Sequence, residues 1–462
     1  MNYLNQRITN FNKFQEILDN DQSENCGDRL QLQLVDGDDQ SIITPSLRFL
    51  GRGVYGFAFS LEDQELVNRN INVVAKISNS TKRENILETG YGLAITKIVE
   101  RGDSPNLPLF AYCKGSRNKE NCICTQNCDF QNPINGVVQA DNDKLQHIMK
   151  NKCYVSFAEK LDGDAKRLFS EMFLVESEET FAKHLFSCIT QLMFGLKELD
   201  KYGLAHTDMH AHNILIKQRI CDDPNATPYL NYTYDGNTYS INHMDTLFVI
   251  WDFGFISKKG KHLGQLGFSE PYMERIFNGE HKNWQQWQTS VLYDIARFIA
   301  HIMEIISQDA SRFQMVYEFC LNVFYAFTTL LKIGYEEKAN DPIFFVKRLF
   351  PSMISHGQME QWWNDIVKMD VAVHPDQILA RYPSHVTRDN EIVQQIDHLE
   401  DEVQSPDVAW NALLQQQADN ATRLLQQPQD AQILQQAHQQ TLQIPQSSRS
   451  LRNGYVHAND YA

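Results

Sequence analysis

The sequence predicts an α+β protein in two lobes, the first rich in short strands and the second in long helices, followed by a Gln-rich tail. Three observations carry this. Short β-type runs recur from Leu47 to about Asp162, and apolar residues recur at helical spacing from Phe181 to about Tyr382. From about Glu391 to Gln446 the chain is rich in Gln, Asn and Asp with few aromatics. The expected boundaries are an N-terminal extension at 1–44, a first lobe at 45–162 with a Cys-containing insertion at 113–153, a second lobe at 163–385 with an insertion at 217–246, and a tail at 386–462.

In chain order, RLQLQLV (Arg29 to Val35) alternates strictly and reads as a strand, followed by the turn-prone Asp36-Gly37-Asp38-Asp39. LRFLG, GFAFSLE, NVVAKIS, LPLFAYC and CYVSFAEKL are β-type runs, interrupted by one helix-like stretch at roughly Arg83 to Glu100. FAKHLFSCITQLMFGLKELDKYG has helical spacing and closes on Gly203, a fitting C-cap. TPYLNYTYDGNTYSINH reads as a hairpin turning at Asp235-Gly236, placed to shape substrate access.

With 462 residues, 42% of them apolar and 11% aromatic, the chain can bury a large core. A net charge of -16 argues against a nucleic-acid partner, because neutralising phosphates takes clustered Lys and Arg. The start, MNYLNQRITNFNKF, has no apolar stretch like a signal peptide. The most apolar run, Phe319 to Leu331, is broken by Asn322 and falls short of the roughly 20 apolar residues of a membrane span. Nine scattered cysteines without a secretion signal fit a reducing compartment, so an intracellular, cytoplasmic protein without a membrane partner is expected.

Four local signals carry the chemistry, and they occur in a fixed order. Gly51-Arg-Gly53-Val-Tyr-Gly56-Phe-Ala58 lies between two strands, where glycines let backbone N–H groups approach phosphate oxygens. A structural turn is the rival reading. Val73-Val74-Ala75-Lys76 is an apolar strand ending in a lysine, which is costly to bury unless an anion meets it. An edge-strand lysine facing water is the alternative. Glu84 and Glu88 share a face of the following helix and either could meet Lys76; Glu88, deeper in the helix, is preferred.

The third signal is His206-Thr-Asp208-Met-His210-Ala-His212-Asn213. Its aspartate can take a hydroxyl proton and its asparagine can hold a metal ion. A histidine metal cluster is the competing reading. The fourth is Phe248-Val-Ile-Trp-Asp252-Phe253-Gly254, an apolar strand delivering a carboxylate suited to magnesium on phosphates.

Together these motifs resemble the protein kinase superfamily: Gly-rich loop, V-A-I-K, H-R-D-x-x-x-x-N and D-F-G, covering about Leu47 to Glu304. The form H-x-D-x-H-x-x-N is similar to small-molecule and atypical kinases, and to divergent serine/threonine kinases of large DNA viruses. The resemblance implies a bilobal protein-kinase-like fold, ATP and Mg2+ as cofactors, and a protein substrate. It implies Gly51, Gly53, Gly56, Ala58, Lys76 and Glu88 around the phosphates, and Asp208, Lys76, Asn213 and His210 in catalysis, with Asn213 and Asp252 on the metal. Ala158 to Asp164 looks like the hinge, with backbone groups near Glu159 and Leu161 pairing with adenine. Asp294 looks like the buried aspartate bracing the catalytic loop, and Ser269-Glu270-Pro271 like a version of A-P-E.

The departures carry expectations of their own. Thr207 replaces the arginine of H-R-D and the segment from Gly254 to Glu270 is short, so switching by loop phosphorylation is not expected. A charged His210 on phosphate would make activity fall as it deprotonates between about pH 6 and 8. Cys113, Cys122, Cys124 and Cys128 are spaced so that zinc could staple the insertion, with free thiols the default. The Gln-rich tail suits disorder or a binding partner. A small-molecule kinase and a pseudokinase scaffold are the alternative functions, the second weakened because Lys76, Asp208, Asn213 and Asp252 are all present.

Overall fold

The computed structural model describes residues 3–20, 32–36, 39–52, 56–79, 83–102, 104–111, 123–127, 132–150, 152–220, 228–234, 237–266, 285, 288–332 and 367–369. The chain divides into two units, Met1–Val393 and Gln394–Ala462, and the second, with the Gln-rich tail, lies outside the described residues. The first unit is mixed α+β, with its large sheet early and its long helices late.

The opening element is one the sequence pattern missed. Helix α1 (Tyr3–Asn20) occupies what reads as a polar extension. Its few large apolar residues concentrate on one stripe, and Phe11, Phe14, Ile17 and Leu18 are all buried. Strand β1 (Leu32–Asp36) falls in the expected run, and it pairs with a second strand, β2 (Asp39–Ile43), that the pattern did not predict.

A seven-stranded sheet follows, built from β3 (Ser46–Arg52), β4 (Gly56–Glu62), β5 (Val73–Asn79), β6 (Phe110–Ala111), β7 (Ile123–Asn127), β8 (Ile134–Asn135) and β9 (Lys152–Glu159). Its order is β6-β9-β5-β4-β3-β8, with β7 also pairing β9; only the β3–β8 pair is parallel. On β5 the period of two decides the faces: Val73, Ala75 and Ile77 are buried, while Val74 and Lys76 point the other way. A short helix α2 (Gln64–Asn68) joins β4 to β5, and α3 (Arg83–Glu100) falls where the helical pattern placed it. Inside the Cys-containing insertion stands an unexpected helix, α4 (Gln139–Lys150). Cys113, Cys122 and Cys128 lie outside the described residues, as does the Cys124 side chain, and the zinc question with them.

The later half is carried by α5 (Ala165–Val175), α6 (Glu178–Lys201), α7 (Val291–Ile306) and α8 (Gln314–Lys332). Asp164, Ser177 and Ser290 cap α5, α6 and α7 by accepting backbone N–H groups of the first turn. Gly203 ends α6 in the left-handed conformation at φ +71°, as expected of a C-cap. Among the described residues no helix is long and apolar enough to cross a membrane.

Three short antiparallel strands, β10 (Gly163–Asp164), β12 (Ile214–Gln218) and β15 (Thr246–Ile250), form a small sheet, and β11 (Leu204–Ala205) pairs with β16 (Ser257–Lys258). All five residues of β15 are buried. The expected hairpin is present as β13 (Tyr229–Tyr234) and β14 (Asn237–Asn242). Its described contacts run to α6 and to Asn106. Tyr232 stacks on Phe194 of α6 at 4.3 Å and donates its hydroxyl to Asn106 Oδ1 at 2.6 Å, while Ser187 donates to the Asn242 carbonyl.

Candidate active site

Across the first sheet, Gly51 pairs with Ala58, and Ala58 with Lys76, so the three lie abreast on neighbouring strands. A bulge between Phe49 and Gly51 bends β3 beside them. A Cβ added to Gly51 would meet nothing within 4 Å. Gly56 is glycine for a different reason: a Cβ there would come within 2.8 Å of the Ile77 carbonyl oxygen. Close packing on β5 demands that glycine independently of any ligand. Gly53 lies outside the described residues, as do Ser269, Glu270 and Pro271.

Lys76 and Glu88 form an ion pair between β5 and α3, which places the preferred carboxylate on the strand lysine. Burial works against the Lys76 charge, but Glu88 and then Asp252 outweigh it and raise its pKa, so the ammonium is held charged. For Glu88 burial dominates and lifts its pKa above the usual carboxylate range, against the pull of Lys76.

The segment from His206 to Asn213 is braced from α7. Asp294 accepts the backbone N–H groups of His206 at 2.9 Å and Thr207 at 2.7 Å, the bracing role expected of it by resemblance. Burial pushes the Asp294 carboxyl up to about 8, against those two hydrogen bonds. One turn on, Arg297 pairs with Asp208 Oδ1 and donates to the Thr207 carbonyl at 2.8 Å. A further turn on, His301 Nδ1 accepts the Ala211 N–H at 3.0 Å. Three polar residues at i, i+3 and i+7 of one helix thus grip successive parts of the loop. Sequence reasoning missed Arg297 and His301; their signal was the same spacing from Asp294 inside an apolar helix.

The second Asp208 oxygen accepts from Asn213 Nδ2 at 3.1 Å, and that amide also donates to the Asp208 carbonyl at 2.9 Å. The Asn213 amide nitrogen thus donates twice to Asp208. Thr207 adopts φ +65°, an uncommon left-handed conformation for a β-branched residue. Its hydroxyl donates to the Phe255 carbonyl, which ties the loop to the turn after Asp252.

Asp252 sits at the end of β15, also left-handed at φ +62°, and accepts the Gly254 N–H at 3.2 Å. Trp251 N–H donates to the Asn213 carbonyl at 2.8 Å, which joins the two loops. His206 Nε2 lies 2.7 Å from the Trp251 carbonyl and must carry the proton; its Nδ1 accepts the Asp208 N–H at 3.3 Å. Both nitrogens of His206 are thereby spent and neither can ligate a metal. Asp252 acts electrostatically on Lys76 and Glu88 on one side and on His206 and Arg297 on the other, so it stands where the two halves of the constellation meet.

The hinge-like run at Glu159 is partly engaged by its neighbours. Its N–H donates to the Leu109 carbonyl at 3.0 Å, and its carboxylate binds Arg7 of α1 and the Leu109 N–H. The N–H groups of Lys160 and Asp162 go to the Asn72 and Ile216 carbonyls. Of positions 159–162, the Leu161 N–H is the one not donated in this way among the described residues, and Leu161 is half-buried.

The surroundings of His210 bear on its charge. Its Nε2 lies 3.8 Å from Asp208 Oδ2, and its ring sits 5.8 Å from those of both His212 and His301. Burial first, then Arg297 and His212, pushes its pKa down to about 3. Burial thus favours the neutral imidazole in the site as it stands. Among the described residues no three His, Cys, Asp or Glu gather as a metal cage. His301 also accepts an N–H at Nδ1, so its Nε2 carries the proton and offers no lone pair. The oxygens of Asn213 and Asp252 suit Mg2+, which is usually held by one or two side chains together with phosphates.

No model of a known protein family matches the chain, and a search of curated proteins finds no match either.

Proposed function

We propose that the chain is an ATP- and Mg2+-dependent phosphotransferase with a bilobal protein-kinase-like fold, acting as a serine/threonine protein kinase. The single observation that carries the reading is Asp252, which bears electrostatically on the Lys76–Glu88 pair and also on the loop of Asp208 and Asn213. A charged lysine, a hydrogen-bonded carboxylate and an oxygen pair on convergent loops match what phosphoryl transfer demands, which is positioning and charge stabilisation.

Lys76, kept charged by Glu88, would meet the α- and β-phosphates. Asn213 and Asp252 would hold Mg2+, which supplies charge neutralisation at the phosphate oxygens. Asp208 would accept the proton of the attacking hydroxyl, oriented from behind by Arg297 and Asn213. The neutral His210 would orient by hydrogen bonding and not by charge. The Leu161 N–H would meet the adenine edge. Because Thr207 ties the loop directly to Phe255, the site needs no phosphorylated segment to order it. Transfer of label from γ-labelled ATP, with Asp208→Ala as the control, tests the reading.

A further inference from the structure

Helix α1 carries a charge where a core residue belongs. Arg7, Phe11, Phe14 and Leu18 follow one another at i, i+4, i+7 and i+11, a single face of the helix, and all four are buried. Phe14 meets the ring of Phe157 on β9 edge-on at 5.4 Å, which seats the helix against the sheet. A buried guanidinium is costly unless its donors are answered, and four hydrogen bonds answer this one. Arg7 Nε donates to Glu159 Oε2 at 2.6 Å and Nη2 to Glu159 Oε1. Nη1 donates to the Pro105 carbonyl and Nη2 to the Leu107 carbonyl, each at 2.6 Å.

The two carbonyls flank Asn106, a residue with its own set of ties. The Asn106 carbonyl accepts the Ile250 N–H at 2.9 Å, and its side-chain amide donates to the Phe248 carbonyl at 2.8 Å and to Gln191 at 3.0 Å. Phe248 and Ile250 belong to β15, two residues before Asp252. Glu159, on the other arm, lies two residues before Leu161. Arg7 therefore joins, through one guanidinium, the strand that would present adenine contacts to the strand that presents the metal-binding carboxylate.

We propose that α1 is a strut whose Arg7 is a positioning residue for the nucleotide, fixing the distance between Leu161 and Asp252. The proposal rests on the phosphotransferase reading of the site. Its consequence is specific. A ligand that spans both ends depends on their spacing, whereas fragments that touch one end do not. A change that merely softens the fold has no reason to separate the two.

The test uses the full chain and titration calorimetry with Mg-ATP, adenosine alone, and Mg-tripolyphosphate alone. Arg7→Met is expected to weaken Mg-ATP by about tenfold or more while each fragment changes by less than about threefold, since only the spanning ligand loses its linkage advantage. Arg7→Lys, whose single ammonium cannot bridge a carboxylate and two carbonyls, is expected to fall between, and it serves as the measured variant if Arg7→Met does not fold. Unchanged Mg-ATP affinity, or equal weakening of all three ligands, overturns the strut. If the unaltered chain binds none of the three ligands, the phosphotransferase reading fails. The strut is then judged by amide hydrogen exchange at Leu109 and Ile250, which must speed up in Arg7→Met; unchanged exchange there overturns it.

Discussion

The ion pair of Arg297 with Asp208 gives the sharpest energetic prediction. The Arg297 side chain is 3% exposed and that of Asp208 is 11% exposed, so replacing Arg297 by Met strands a carboxylate in a site with little water. Breaking a buried pair by removing one partner costs about 3–5 kcal/mol. Asp208 keeps the Asn213 donor at 3.1 Å, which places the loss near the lower end, at about 3 kcal/mol. The assay is equilibrium urea unfolding of the wild type, Arg297→Met, Asp208→Asn and the double variant. The double variant removes both charges and leaves no stranded ion, so the two losses should not add. A coupling of about 2 kcal/mol or more is expected from the cycle. Additivity within about 0.5 kcal/mol, or an Arg297→Met loss below about 1 kcal/mol, would show that Arg297 does not hold the loop through this carboxylate.

Two further predictions concern packing and pH. Gly195 lies on α6 where a Cβ would come within 2.9 Å of Ile250 Cδ1 and 3.1 Å of Asn106 Cβ, so Gly195→Ala should lower stability by about 1–3 kcal/mol; an unchanged melting temperature would contradict that contact. His210 and His301 are both held near pKa 3, chiefly by burial. Their folded values lie below the unfolded one, so the stability they contribute is present above about pH 6.5 and drains away as pH falls toward 3. At pH 5 the loss is about 2 kcal/mol for each histidine. Asp294, raised to about 8, moves the opposite way, losing stabilisation as pH rises. The comparison is therefore between wild type and His210→Gln/His301→Gln: the wild type should lose more stability from pH 7 to pH 5, and parallel curves would refute it.

Local elements were legible in the sequence, and long-range partnership was not. The strands around Gly51 and Lys76 and the helix bearing Glu88 follow from periodicity, because each needs only its neighbours to be recognised. The order of Asp208, Asn213 and Asp252 in loops after apolar runs was equally plain. Arg7 was hidden because its partner Glu159 lies 152 residues away, and a helix with so few apolar residues reads as an extension. The Glu159 carboxylate was hidden for the same reason: its partners, Arg7 and the Leu109 N–H, lie far away in the chain. Arg297 and His301 sat in an apolar helix whose pattern announces a core and conceals a polar face. The charge state of His210 depends on burial and on Arg297, which no spacing rule reports.

The most direct measurement is transfer of radiolabel from γ-labelled ATP by the purified chain, with and without magnesium, using the chain itself and a generic basic protein as acceptors. The account predicts magnesium-dependent label on serine or threonine, abolished in Asp208→Ala. No label on any acceptor, or label undiminished in Asp208→Ala, would contradict it.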